Sequence, residues 1–245
     1  MIERGQYARI VDAFHQVLPF GTGGRRGPVG VGPNRFNPWT LGASVQGHVD
    51  FLRQTIDRKD RTVVIAYDVR TFHDLRGQLV PSVADPLRGL SSRAFAEIAA
   101  EVYAAAGIRI FMPPVGTYMS TPELSFAIRY LSADGGLNIS ASHNHPDDNG
   151  GKFYNASGSQ EVPPRDQRLA EAVSRVVQVE RMSLDRARST GIVLDLPEEV
   201  HEAYIQTNLA CSRRRETNEE RSALKVVFTG LHGTGRNTVA VVLSR

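Results

Sequence analysis

The chain has 245 residues, 41% hydrophobic and 22% charged, enough to bury a substantial core and too apolar for a disordered polymer. Its formal net charge is +3 and only three of its 29 basic residues are lysines, with the arginines scattered along the chain, which argues against a nucleic-acid partner needing a clustered basic face. The lone Cys211 precludes an intrachain disulfide, and no apolar run approaches the roughly 20 residues of a membrane span, so a soluble, cytoplasmic protein with no membrane partner is expected.

In chain order, Ile10, Val11, Phe14, Val17 and Leu18 repeat at helical spacing up to Pro19 and predict a helix over Ile2 to Leu18. Phe20 to Gly27, F-G-T-G-G-R-R-G, is too rich in glycine for a helix or a packed strand. It predicts a loop whose backbone approaches a ligand closely. Trp39 to Phe51 predicts a second helix. Val63 to Tyr67 is an unbroken apolar run, as in a strand buried on both faces, so Asp68 and Arg70 fall just beyond its carboxyl end. Phe72 to Leu90 lacks periodicity, carries Pro81 and Pro86, and predicts a long loop covering or abutting a site.

Ser91 and Ser92 cap a helix ending at Gly107. Ile108 to Met112 predicts a strand, and Thr121-Pro122-Glu123 starts a helix to Leu131. After a turn at Asp134-Gly135-Gly136, Leu137 and Ile139 alternate as a short strand. Asp166 to Val179 reads as an amphipathic helix, Arg181 to Glu199 as a domain edge or linker, and His201 to Leu209 as a helix. Ser212 to Glu216 reads as a solvated charge run. Leu224 to Thr229 predicts a strand leading into Gly230 to Gly235. The alternation predicts a three-layer α/β/α sandwich, with helices on both faces of a mixed sheet, over residues 1–200. Residues 201–245 are expected to be the beginning of a second, similar domain.

Chemistry concentrates in Leu137 to Asn155. The strand ends in Ser142, His143, Asn144, His145, Asp147 and Asp148, then an expected Asn149-Gly150-Gly151 turn and Lys152. An isolated serine after a strand is usually a turn former. A serine that carries a phosphoryl group, by contrast, needs cations or backbone donors around the anionic oxygens and an acid/base for the attacked oxygen. Lys152 lies in the same segment, and Arg26 in the other glycine-rich one.

The run S-A-S-H-N-H-P-D-D-N-G-G-K resembles the phosphoserine loop of the α-D-phosphohexomutases, the phosphoglucomutase/phosphomannomutase family. F-G-T-G-G-R-R-G, the segment Val63 to Arg70, the T-P-E-L helix start and Lys225 to Gly235 resemble further motifs of that family in the same order. N-R-F-N-P-W-T is similar to its phosphopentomutase-like branch. The resemblance implies an intramolecular phosphotransferase that moves a phosphoryl group between positions of a sugar phosphate through a sugar bisphosphate. Ser142 would carry the phosphoryl group and give one oxygen to Mg2+, Lys152 would be the acid/base, Arg26 a substrate-binding arginine of the rim, and His143 and Asn144 would orient the loop. His145 stands where many members have proline. The family's D-G-D-x-D-R metal loop, sugar-reading loop and distal phosphate site are not found in the 245 residues. A truncated chain, or a non-catalytic or split phosphoserine domain completed by a separate chain, is therefore an alternative expectation. A remote one is a zinc metallohydrolase, because His143 to Asp148 approximates H-x-H-x-D-H with Asp148 in place of the last histidine.

Overall fold

The computed structural model describes residues 5–79, 85–213, 220 and 223–245. Its centre is a six-stranded mixed sheet. In chain order the strands are β1 (Gly24–Pro28), β2 (Thr62–Tyr67), β3 (Arg109–Met112), β4 (Gly135–Ile139), β5 (Asp148–Asn155) and β6 (Val193–Asp195). Their spatial order is β1-β5-β4-β2-β3-β6. Strands β4, β2, β3 and β6 run parallel, whereas β5 is antiparallel to both β4 and β1.

Strand β2 shows why this is a three-layer protein. All six of its residues are buried, and they alternate between two cores. Val63, Ile65 and Tyr67 pack with helices α2 (Pro38–Thr55), α3 (Ser92–Ala105) and α5 (Arg165–Ser174) through side chains such as Val45, Phe95 and Leu169. Val64 and Ala66 face the opposite way, onto α4 (Thr121–Tyr130) and α7 (Glu198–Ala210), where Leu124, Ile128 and Val200 lie. Burial of each such side chain contributes about 1.5–3 kcal/mol, so the central strand is anchored from both sides.

The predicted helices form where their caps say they should. Asn37 accepts hydrogen bonds from the amides of Trp39 and Thr40 while Thr40 Oγ1 answers the Asn37 amide, a complete capping box at the start of α2. Ser91 caps α3, and Gly107 follows it at φ +74°, the left-handed stop that glycine adopts without cost. Ser120 caps α4.

Several expectations need correction. Phe20 to Gly27 is not wholly loop: Gly24 to Pro28 form an edge strand against β5. Glycine permits it, since a Cβ on Gly24 would lie 2.0 Å from the Gly151 carbonyl oxygen. The turn assigned to Gly135-Gly136 is strand β4, where a Cβ on Gly136 would meet Ile128 Cδ1 at 2.7 Å. The Asn149-Gly150-Gly151 turn is strand β5. In all three places glycine marks backbone pressed against backbone or a core side chain, not a change of direction.

Of the two readings of Arg181 to Glu199, domain edge or linker, the structure gives the edge. The segment holds α6 (Leu184–Ser189) and β6, the far edge of the sheet. The first helix, α1 (Tyr7–Phe14), is shorter than its apolar repeat, and Val11 and Phe14 are exposed while Ala13 is buried. Leu224 to Thr229 forms no strand; Val227 is 97% exposed, and no described strand lies alongside to satisfy its backbone. The chain closes with α8 (Val239–Ser244). Within the charge run, Ser212 and Arg213 are exposed and residues 214–216 lie outside the described residues, as do residues 1–4 of the first expected helix. Helix α7 spans residue 200, and its Val200 and Ile205 are buried.

Candidate active site

From β2 the chain passes through α3 to β3 on one side of β2, then through α4 to β4 on the other. Such a reversal opens a crevice at the carboxyl ends of the strands, the place where open α/β sheets bind ligands. A cleft of about 740 Å³ lies there. Asp68, Arg70 and Thr71 after β2, Thr121 at the start of α4, Asn138 in β4 and Ser140, Ser142, His143 and Asn144 after β4 all line it.

The link from β4 to β5 is a tight, polar loop. Ser142 is exposed and sits at φ +55°, a left-handed conformation uncommon outside glycine. Its amide donates to Ser140 Oγ at 3.1 Å, and its Oγ lies 3.3 Å from His143 Nδ1. Behind it the loop is tied down. Asn144 Nδ2 donates to Asp148 Oδ2 at 3.1 Å, Arg76 pairs with Asp148 Oδ1 at 2.5 Å, and the Arg76 amide donates to the fully buried Asp147. Arg70 reaches across from β2, with Nη2 donating to the Ser142 carbonyl at 2.5 Å and Nη1 to the His145 carbonyl at 2.8 Å. Asp68 orients Arg70 from below and accepts from Ser92 Oγ at 2.5 Å; Asn149 Nδ2 donates to that same hydroxyl at 3.0 Å.

The two basic residues expected in the site lie one and two strands away. Gly24, Lys152 and Asn138 are cross-strand partners, so they share a face of the sheet. Arg26 pairs with Gly150 on that same face. A Cβ on Gly150 would stand 3.0 Å from both Arg26 Cβ and the Ser140 carbonyl oxygen. Arg26 therefore begins beside the strand end that carries Ser140 and Ser142. Arg26 is exposed, and among the described residues no hydrogen bond or ion pair holds its guanidinium. Lys152 Nζ donates to Gln160 Oε1 at 3.2 Å, and Gln160 Nε2 donates to the Thr22 carbonyl at 2.7 Å. The two glycine-rich segments are thus one ladder, closed at its end by Gln160. Neither Arg26 nor Lys152 lines the cleft itself.

The nearby carboxylates do not form a ligand set for magnesium. Asp68 is engaged by Arg70 and Ser92, Asp148 by Arg76 and Asn144, and Asp147 is fully buried. No group of three histidine, cysteine or acidic side chains that could hold a metal ion occurs among the described residues. The zinc reading finds no support among the described residues either: His145 Nδ1 accepts from the Asp147 amide at 3.1 Å, and that same Asp147 is buried. Ser142 alone, once phosphorylated, would present a hard oxygen.

Sequence reasoning missed Arg76, Ser92 and Asn149, whose roles depend on partners far away in the chain. It also missed His232, which lines the cleft from the carboxyl-terminal segment next to Gly233 and Thr234. The H-G-T-G run around it was a visible signal, but nothing local assigned it to this cleft.

Fold and site together define an α/β/α protein with a serine-bearing loop at the switch point of its sheet. Residues 89–180 match the family model described as phosphoglucomutase/phosphomannomutase, alpha/beta/alpha domain I. A phosphoglucomutase of Staphylococcus haemolyticus is 34% identical over 94% of this chain and 37% of its own length. A phosphopentomutase of Mus musculus is 28% identical over 98% of this chain and 36% of its own. Among solved structures, a putative phosphomannomutase from Thermus thermophilus superposes with a TM-score of 0.58 at 25% identity, covering 86% of this chain and 39% of that one. A phosphoglucomutase (parafusin) from Paramecium shares the fold at a TM-score of 0.63 and 17% identity, over 91% of this chain and 41% of its own. Residues 89–180 thus match domain I of the phosphoglucomutase/phosphomannomutase family, and the chain as a whole is similar to part of the longer members of that family. It spans less than two fifths of the length of the curated relatives it matches. No described helix is long and apolar enough to cross a membrane.

Proposed function

We propose that this chain is the phosphoryl-carrying part of a phosphohexomutase-type phosphotransferase, with Ser142 as the residue that carries the phosphoryl group and a sugar phosphate as substrate. The observation that carries this reading is the exposed Ser142 hydroxyl, held at positive φ on a braced loop in the switch-point cleft. Backbone held in a sparsely populated region and fixed by its surroundings is a mark of functional sites.

In the loading step Ser142 Oγ attacks a phosphoryl group of a sugar bisphosphate. The Oγ–phosphorus bond forms, the bond from phosphorus to the sugar oxygen breaks, and the Ser142 proton leaves toward His143 Nδ1, 3.3 Å away. The sugar oxygen that departs takes up a proton in turn. In the reverse direction a sugar hydroxyl attacks the phosphoserine, and Lys152, the acid/base lysine by family resemblance, exchanges its proton. Arg26, whose guanidinium has no partner among the described residues, is the cation that meets the transferring phosphoryl oxygens. Magnesium, where bound, would neutralise charge on the phosphoryl group. Among the described residues only the Ser142 oxygen would be offered to it.

The reading is tested by incubating the chain with glucose 1,6-bisphosphate and measuring intact mass. A gain of one phosphoryl group, located at Ser142 by fragmentation, reversed by phosphatase and absent in Ser142→Ala, is expected. No gain, or a gain that persists in Ser142→Ala, would sink it.

A further inference from the structure

Arg70 lines the cleft, yet its donors are already spent. A guanidinium has five N–H groups. Nε donates to Asp68 Oδ2 at 3.1 Å; Nη1 donates to the carbonyls of His145 at 2.8 Å and Asp148 at 3.3 Å; Nη2 donates to those of Ser142 at 2.5 Å and Asn144 at 3.3 Å. Those are five donations to five acceptors, four of them backbone carbonyls of the loop between β4 and β5. Its side chain is 13% exposed and that of Asp68 14%. Carbonyls gathered on one side of a tight loop repel one another and need a common donor. No other described side chain bridges Ser142, Asn144, His145 and Asp148.

From this saturated geometry we propose that Arg70 is the positioning residue of the site. It does not bind the phosphoryl group; it holds Ser142 at positive φ with its hydroxyl toward the cleft. Asp68, steadied by Ser92, fixes the plane of the guanidinium and thereby the loop. The inference rests on the reading of Ser142 as phosphoryl carrier only for its catalytic consequence. Its structural content stands alone. Planarity is what the site uses: a lysine ammonium has three donors on a point charge and cannot serve five acceptors. Arg70→Lys keeps the charge and breaks the brace.

The experiment compares the parent chain with Arg70→Lys and Arg70→Ala by amide hydrogen exchange and by phosphoryl uptake from glucose 1,6-bisphosphate. In both variants the amides of residues 142–149 should exchange at least about tenfold faster, while those of β2 and β4 keep their protection. Phosphoryl uptake should fall about 100-fold, the cost of misplacing a reacting group by an ångström or so. Added guanidinium chloride at sub-denaturing concentration should restore part of the uptake in Arg70→Ala, and methylammonium should not. Loop exchange and uptake within about twofold of the parent in Arg70→Lys would overturn the proposal. So would equal loss of protection in β2, β4 and the loop, since Arg70 would then support the whole fold. If the parent takes up no phosphoryl group, the functional reading fails while the exchange measurement still decides the role of Arg70.

Discussion

Arg70 and Arg26 flank the same group of strand ends and are treated in opposite ways. Arg70 is largely covered and gives every donor to protein acceptors. Arg26 is exposed on an edge strand, rooted over Gly150 beside the Ser140 carbonyl, and no described group pairs with it. A cation with all its donors filled shapes a site; one with its donors empty has charge to give to an anion. Under the proposed function, the difference would separate the residue that places the nucleophile from the residue that meets its cargo.

The widest separation expected is between stability and uptake in Arg26→Ala. The side chain has no described partner to lose, so the unfolding free energy should stay within the scatter of ordinary surface changes, about 0.5 kcal/mol. A charge-assisted hydrogen bond to a phosphoryl oxygen is worth roughly 1.5–3 kcal/mol, so uptake on Ser142 should fall about ten- to 100-fold. A variant that melts early, or that takes up phosphoryl at the parental rate, would erase the contrast with Arg70.

A smaller effect should follow from filling the floor between the two regions. In Gly150→Ala the new methyl would stand 2.8 Å from the Arg25 carbonyl oxygen and 3.0 Å from Arg26 Cβ and the Ser140 carbonyl oxygen. Two of those three neighbours are backbone, so the clash cannot be relieved by turning a side chain. A loss of about 1–3 kcal/mol is expected, as for overpacking elsewhere, together with weaker uptake because Arg26 and Ser140 are pushed apart. Chemical denaturation decides it: an unchanged midpoint would mean that β1 and β5 part easily and that the rim is not built on this contact.

The contrast also explains what the sequence could and could not disclose. The run Val63 to Tyr67, the cap at Ser91 and the helix start at Thr121-Pro122 are local signals, and each appears in the structure where expected. Ser142, His143 and Asn144 are contiguous and their loop is short, so they reach the cleft together. The glycine pairs misled because glycine encodes two opposite things, freedom to turn and room for close approach, and here Gly135, Gly136 and Gly150 serve the second. The short strand β6 was invisible because its three residues, Val193 to Asp195, lie at an edge inside a charged stretch. Arg70 was visible as a residue at a strand end, but the loop carbonyls it serves lie 72 to 78 positions away in the chain. No spacing rule reaches that far.

An empty nitrogen marks a site only where a ligand can reach it, and His48 supplies the limiting case. It is fully buried between Tyr103 and Phe153, with Nδ1 2.6 Å from Tyr103 Oη and Nε2 without a partner. Burial first, and the charge of Arg165 second, lower its pKa from 6.5 to about 3. The folded protein therefore keeps His48 neutral while the unfolded chain protonates it below pH 6.5, so the unfolded state binds the extra proton. Stability from this group is complete above pH 6.5 and is lost as pH falls toward 3, with a slope approaching about 1.4 kcal/mol per pH unit. Glu202, lowered from 4.5 to about 2 mainly by Arg245, adds its own loss only below pH 4.5, which leaves pH 4.5 to 6.5 as the window for the histidine. Denaturation midpoints across that window should slope in the parent and flatten in His48→Gln. Parallel slopes would show that His48 is charged or solvated in the folded state, and that an unpartnered nitrogen in this core is open to water just as the guanidinium of Arg26 is.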